Sequence, residues 1–189
     1  MRIDLSGQSI LIDGDENPVI AALRSRLAES GASIGGVALP DIQILSFPLL
    51  PRDGIDVEGL LTKAEQQASE MAARGHGRIL CIVSGAAVMP MRRYPDFSRR
   101  MAGVVTTVRT LAMRFGPHVL VNAVGVGAIG EPLVAGDAAM LSHAAVKRPG
   151  TVAEVVDTAL FFADPLNTYT TGQMLTVDGG WSVGYGRNF

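Results

Sequence analysis

Cysteine is nearly absent from these 189 residues. Cys81 stands alone, so a disulfide framework is excluded and a reducing, cytoplasmic setting is expected. Charge is scarce too: Asp, Glu, Lys and Arg make up 18% of the chain, against 48% hydrophobic residues. That low charge density points to surface hidden against partner subunits; the other reading is a large core beneath a Gly- and Ala-rich surface. With a net charge of -2 and a pI near 5.9, the chain has no electrostatic grip on nucleic acid or on an anionic membrane. No apolar run reaches membrane-spanning length, and the opening Met1-Arg-Ile-Asp-Leu-Ser-Gly7 lacks the apolar region of a secretory signal. No His/Cys/Asp cluster has ligand spacing, so no metal is expected. What remains is one domain over 1–189, large enough to bury a core.

What is present centres on Arg78 to Gly127. Arg78-Ile-Leu-Cys-Ile-Val-Ser-Gly85 is a short apolar run ending in a turn pair, the pattern of a buried strand. Pro95-Asp96 is a helix-start signal. Phe97, Met101, Val104, Val105, Val108, Leu111, Ala112 and Phe115 then recur at offsets of three and four, which places them on one helical face. His118–Val124 reads as a second buried strand. Strand, crossover helix, strand makes a parallel βαβ unit.

Taken in order, the chain predicts a strand at Gln8–Asp13 and a helix from Pro18 to Ser30, opened by proline and stopped by Gly31. A second strand is expected at Ser33–Leu39. Asp41–Leu50 is extended and apolar but joined to it by only a few residues, and a parallel neighbour needs a dozen or more. It therefore reads as an antiparallel or irregular crossing, and the path of residues 40–55 stays open. A helix follows at Asp56–Arg74, closed by Gly75. Gly125–Pro149 reads as a Gly- and Ala-rich loop with one helical turn. A helix at Val152–Phe162 and a last strand at Met174–Val177 complete an α/β chain with no internal repeat.

Four segments together resemble the short-chain dehydrogenase/reductase family. They are Gly77-Arg-Ile-Leu-Cys-Ile-Val-Ser84, Val121-Asn-Ala-Val124, Arg148-Pro-Gly-Thr-Val-Ala-Glu-Val155 and Tyr169-Thr-Thr-Gly-Gln-Met-Leu-Thr-Val-Asp-Gly-Gly-Trp181, all in family order. The likeness is good from about Asp56 to Trp181 and weaker from Gln8 to Leu39. It implies a Rossmann-like, mostly parallel sheet with helices on both faces, shortened in its N-terminal half, and an oligomer. It also implies an NAD(P)-dependent oxidoreductase ancestry. The family's Asn-Asn-Ala-Gly motif occurs nowhere in the chain.

The resemblance implies a Gly-rich turn for the dinucleotide's pyrophosphate, because only glycines let the backbone come close enough. Here the turn reads Asp13-Gly14-Asp15-Glu16-Asn17-Pro18-Val19-Ile20. Gly14 is retained, while Pro18 and Ile20 fill the other two glycine slots. Asp13, Asp15 and Glu16 add carboxylates, each repelling a phosphate charge at about 5 Å by roughly 1 kcal/mol in water. Acidic capping of an ordinary helix is the expected role of this turn. No cofactor is therefore expected, and NAD(P) only if the degenerate turn still binds it.

Family catalysis implies a Tyr as proton donor, a Lys that lowers its pKa, a Ser that orients substrate and an Asn that supports a water relay. Ser84 matches the Ser. The Tyr slot holds Phe97, the Lys slot Met101 and the Asn slot Asp56. Phe97 has no proton to give and Met101 no charge, and both extend the apolar stripe. Tyr94 has no Lys four residues on, and His76, His118 and His143 stand at no recognisable spacing from a Ser or carboxylate. Arg92, Arg93, Arg99 and Arg100 flank the segment. They would hold a ligand phosphate or carboxylate, such as that of a CoA thioester, pair with a partner's acids, or form a solvated rim.

The helices 56–74 and 96–115 correspond to the family's inter-subunit bundle, with Gly103, Thr106, Thr107 and Thr110 as small residues opposite the core stripe. The C-terminal strand with the tail to Phe189 resembles the other interface. The expectation is a non-catalytic subunit in a homo- or hetero-oligomer, one that supports or regulates a catalytic relative. A small-molecule binder or divergent enzyme with a pocket rebuilt around Ser84, Asp56 and the arginines is the alternative, and a plain NAD(P)-dependent oxidoreductase the third reading.

Overall fold

A computed structural model of the chain describes residues 2–52, 54 and 56–184. A single parallel sheet runs through it, built from β1 (Ser9–Gly14), β2 (Ser33–Ile34), β3 (Ile42–Ser46), β4 (Gly77–Ser84), β5 (Val119–Val126) and β6 (Met174–Val177). Their spatial order is β2-β1-β3-β4-β5-β6. The helices are α1 (Pro18–Glu29), α2 (Val57–Arg74), α3 (Pro95–Phe115), the short α4 (Ala138–His143) and α5 (Val152–Ala163).

The central strands are apolar at nearly every position because both faces are covered. Along β4, Leu80 and Ile82 point into a layer shared with α1 and α5, while Ile79, Cys81 and Val83 point into a layer shared with α2 and α3. Cys81 is fully enclosed there, and burial pushes its thiol up to about 12, which leaves it inert. The predicted α3 stripe packs onto this second layer from Phe97 to Ala112, with Phe115 partly buried beside it. An Arg114–Glu65 ion pair ties α3 to α2 across their exposed surfaces.

Two expectations in the N-terminal half are corrected. Residues 41–50 do not cross antiparallel. Ile42–Ser46 is β3, a fully buried strand parallel to both β1 and β4. The second strand does not extend to Leu39 but stops at Ile34, where Gly35 and Gly36 turn the chain at φ 84° and 72°. These corrections share one cause. A parallel return needs many residues only when the first strand climbs the sheet. Here β2 ends level with Ile10, and β3 starts at that same level, so the chain merely passes under β1. Asp41 fastens the passage: its carboxylate accepts the Ser9 amide at 2.9 Å and the Ser9 hydroxyl at 2.7 Å. Smaller differences lie elsewhere. Residues 125–149 begin with the last two residues of β5 and contain α4.

Among the described residues no helix is long and apolar enough to cross a membrane, and no group of three or more His, Cys, Asp or Glu is placed to hold a metal. The α5 start is the most heavily capped helix end. The Thr151 hydroxyl accepts the Glu154 amide at 3.2 Å, and the Glu154 carboxylate accepts the Thr151 amide at 2.6 Å. Arg148 donates to the same carboxylate at 2.7 Å. These bonds, Arg148's first, hold the Glu154 carboxyl down at about 2, against an ordinary 4.5. A depressed carboxylate pKa stabilises the fold fully above 4.5 and is lost as pH falls through about 2. The melting-temperature gap between the natural chain and Glu154→Gln should therefore close across that acid window. A Glu154 carboxyl titrating at its ordinary value in an NMR pH series would show that Arg148 has no hold on it.

Candidate functional site

In open parallel sheets the ligand crevice lies beyond the C-terminal ends of the strands, where the strand order reverses. Here the reversal falls between β1 and β3. Gly14, at the end of β1, is level with Ser46 at the end of β3. Ser84 ends β4, level with Val126 and Val177 of the next two strands. The sequence-derived site residues therefore lie around this rim, but their side chains are engaged elsewhere.

At α1 the fit to a dinucleotide can be tested directly. A pyrophosphate is held by free amide N–H groups of the first helical turn. Pro18 has none, and the Asn17 side-chain oxygen accepts both the Val19 and the Ile20 amides at 3.1 Å. Val19 and Ile20 are themselves completely buried. The helix end is capped by Asn17, not by the neighbouring acids as the sequence suggested. Those acids have other partners: Asp13 pairs with Lys63 at 2.9 Å, Asp15 with Arg52, and Glu16 with Arg24 at 2.6 Å. With each carboxylate matched to a cation, charge repulsion is not what closes this end; the occupied amides are.

The retained glycine serves the sheet. Gly14 has φ 104°, and a Cβ there would stand 2.1 Å from the Ser46 carbonyl oxygen. Asp15 then donates its amide to that same oxygen at 2.8 Å. The adenosine side is also altered. A ribose is ordinarily held by an acid about 20 residues beyond the glycine turn. Here that distance falls on Ile34-Gly35-Gly36, where β2 has already ended. The residues present do not fit NAD(P) in the family's pose.

The positions expected as catalytic slots from the resemblance are engaged in packing and capping. Phe97 is 4% exposed and Met101 fully buried, both within the α2–α3 layer. Ser84 is buried, and its hydroxyl accepts the Ala86 amide at 3.3 Å, capping a 3₁₀ turn at Gly85–Ala87. Asp56 caps α2 through the Gly59 amide at 2.8 Å. The four arginines divide. Arg99 pairs with Asp96, Arg93 and Arg100 border a pocket of about 380 Å³ with Arg52 and Phe97, and Arg92 and Arg93 border another of about 450 Å³ beside Trp181. Ser84 and Asp56 line neither of these pockets, so the structure does not assemble the pocket expected around them and the arginines.

Sequence reasoning missed Asn17, Arg52 and Asp41. Asn17 carried a usable signal, since Asn directly before Pro is a helix-start pattern. Asp41 lies far from its partners in sequence and gave none. It sits at the opposite end of the sheet, 3.5 Å from Arg74 and 3.9 Å from His76. Burial works to raise its pKa, but the Ser9 hydrogen bonds and Arg74 hold it below the usual value.

A doubly wound parallel sheet whose strand order reverses between β1 and β3 defines a Rossmann-like scaffold. The family model described as enoyl-(acyl carrier protein) reductase matches residues 54–182. Glucose 1-dehydrogenase of Gluconobacter oxydans is 36% identical over 91% of this chain and 75% of its own length. The 1-cyclohexenylcarbonyl-CoA reductase of Streptomyces collinus is 34% identical over 62% of this chain, but the match spans only 45% of that protein. The 3-oxoacyl-[acyl-carrier protein] reductase structure from Brucella melitensis superposes with a TM-score of 0.79 at 17% identity, over 99% of this chain and 94% of that one. The chain belongs to the short-chain dehydrogenase/reductase family.

Two substitutions test the packing roles assigned to the family positions. Gly14→Ala should lower unfolding free energy by at least about 1 kcal/mol, because alanine tolerates neither the positive φ nor the Ser46 contact. Met101→Lys, which places the lysine expected from the resemblance at this position, should cost roughly 3 kcal/mol or more by placing an ammonium in the apolar layer. Urea unfolding midpoints with unchanged slopes are the measurement for both. A Met101→Lys chain as stable as the natural one would mean this position opens to solvent.

Proposed function

We propose that this chain is a non-catalytic member of its family, one that assembles with a catalytic NAD(P)-dependent relative and supports or regulates it. The observation that carries this reading is the burial of Phe97 and Met101. The positions that should deliver and tune a proton are packed into the core of α3. General acid–base chemistry needs a titrating group within hydrogen-bond reach of substrate, and neither side chain titrates. The capped α1 end supports the same reading, since its first amides are already taken.

Assembly is supported by what the chain leaves outside. On α3, opposite the buried stripe, Thr106 returns its hydroxyl to the Ala102 carbonyl at 3.2 Å and Thr110 to the Thr107 carbonyl at 3.0 Å. Thr106 and Thr110 are exposed, and a Cβ on nearby Gly103 would meet nothing within 4 Å. Small, internally satisfied residues of this kind permit close helix approach. Met113 extends from the same helix at 85% exposure. Near β6, Leu166 and Tyr169 are almost wholly exposed, and Leu175 and Phe161 partly so. The tail to Phe189, part of the interface expected from sequence, lies outside the described residues.

Two measurements decide the matter. Calorimetric titration with NADH and NADPH should give no saturable heat at micromolar nucleotide. Affinity purification from the native cell should bring down a family relative with an intact Gly-rich turn and Tyr–Lys pair, in a fixed ratio to this chain. A homo-oligomer without such a relative would contradict the hetero-oligomer. Turnover of a carbinol by the purified chain would end the non-catalytic reading.

A further inference from the structure

The lower end of the sheet, away from the switch point, holds a polar hollow of about 290 Å³. It spans the starts of four neighbouring strands: Gln8 ahead of β1, Asp41 ahead of β3, His76 and Arg78 at the start of β4, and His118 ahead of β5. The loop after α5 closes one side. We infer that this hollow binds a small tetrahedral oxyanion, a phosphate or sulfate group, most tightly when its two histidines are protonated. This inference stands whether or not the chain assembles with a catalytic relative.

Arg78 supplies a charge that lacks a counter-charge. Its guanidinium donates to the Asn167 carbonyl at 2.8 Å and to the Pro165 carbonyl at 3.1 Å, both neutral acceptors. Among the described residues no carboxylate forms an ion pair with it, whereas Arg24, Arg52, Arg74, Arg114 and Arg148 each have one. Arg78 is also half-buried. Burial pulls its pKa below the ordinary arginine value, and Asp164 opposes that pull from beyond ion-pair distance. A guanidinium has donors beyond those the two carbonyls use, and its fork suits a phosphate-type oxyanion.

The histidines decide the balance of charge. The His118 Nδ1 lies 3.2 Å from the Gly75 carbonyl oxygen, which can only accept, so Nδ1 carries a proton and Nε2 gains one when the ring is charged. The His76 Nδ1 stands 3.9 Å from the Asp41 carboxylate. Asp41 is already engaged by the Ser9 amide and hydroxyl and by Arg74 at 3.5 Å, and Asp164 accepts the Leu166 amide at 2.9 Å. Arg74 and Arg78 set against Asp41 and Asp164 leave no net charge. Each protonated imidazole adds one, so the hollow turns into an anion site as pH falls through the histidine range. Its donors stand on separate segments, and a tetrahedral group presents more oxygens to them than a carboxylate does. The volume lies at the lower limit for organic ligands, which keeps the ligand small.

Of the chain's three histidines only His143 lies outside this hollow, so ring signals in an NMR titration report it with an internal reference. The full chain is titrated with sodium sulfate at about pH 6, against sodium chloride at equal ionic strength, because sulfate keeps its charge across the histidine range. Saturable shifts of the His76 and His118 signals are expected. Binding should be roughly tenfold weaker at about pH 8, and likewise for Arg78→Lys, which keeps the charge and loses the fork. His76→Gln, at an exposed position, should weaken the binding read through His118 and serves if Arg78→Lys does not fold. Orthophosphate and methyl phosphate should move the same signals, and the tighter of the two shows whether the group is free or esterified. Shifts that chloride reproduces would overturn the inference. So would acetate binding as tightly as sulfate, or sulfate binding equally at both pH values.

Discussion

The upper rim of this sheet depends on one carboxamide. The Asn17 oxygen caps two amides of α1, while its nitrogen lies 3.1 Å from the Asp15 carboxylate and 3.3 Å from the Ser46 hydroxyl. One side chain thus joins the end of β1, the end of β3 and the start of α1, the three pieces that border the crevice at the switch point. A helix N-terminus must have its donors satisfied by something. In this chain an internal group does so, and Gly14 fits under the Ser46 carbonyl in the same arrangement.

That constraint changes what the family resemblance means here. The scaffold, the alternating two-sided burial of β4 and β5 and the α2–α3 pair are all retained. The distinctive features of this chain are a β2 of two residues, an α1 capped from within, and Phe97 and Met101 buried in the core. Differences at strand ends leave packing intact, because the layers are held by residues further down each strand.

The β4–α3–β5 unit was legible in the sequence for a physical reason. A parallel strand covered on both faces is a continuous apolar run, and its crossover helix carries a clear stripe at helical spacing. The burial of Phe97 and Met101 was legible as well, since both fit that stripe. β3 was not, because a rule about connection length presumes that the preceding strand crosses the sheet, and β2 does not. Nor was the pairing of Asp13, Asp15 and Glu16 with Lys63, Arg52 and Arg24, which depends on distant residues meeting in space. The arginines looked like one cluster in sequence, yet the fold turns Arg99 toward Asp96 and the others toward two separate hollows.

The two margins of the sheet are unequal, and this makes the molecule directional. On the β2 side only Ser33 and Ile34 present main-chain groups, too short a ladder for another chain to extend. On the β6 side, four residues end the sheet with apolar side chains nearby. Growth by strand addition therefore has one open end and one stopped end, which favours a closed pair over an endless fibre.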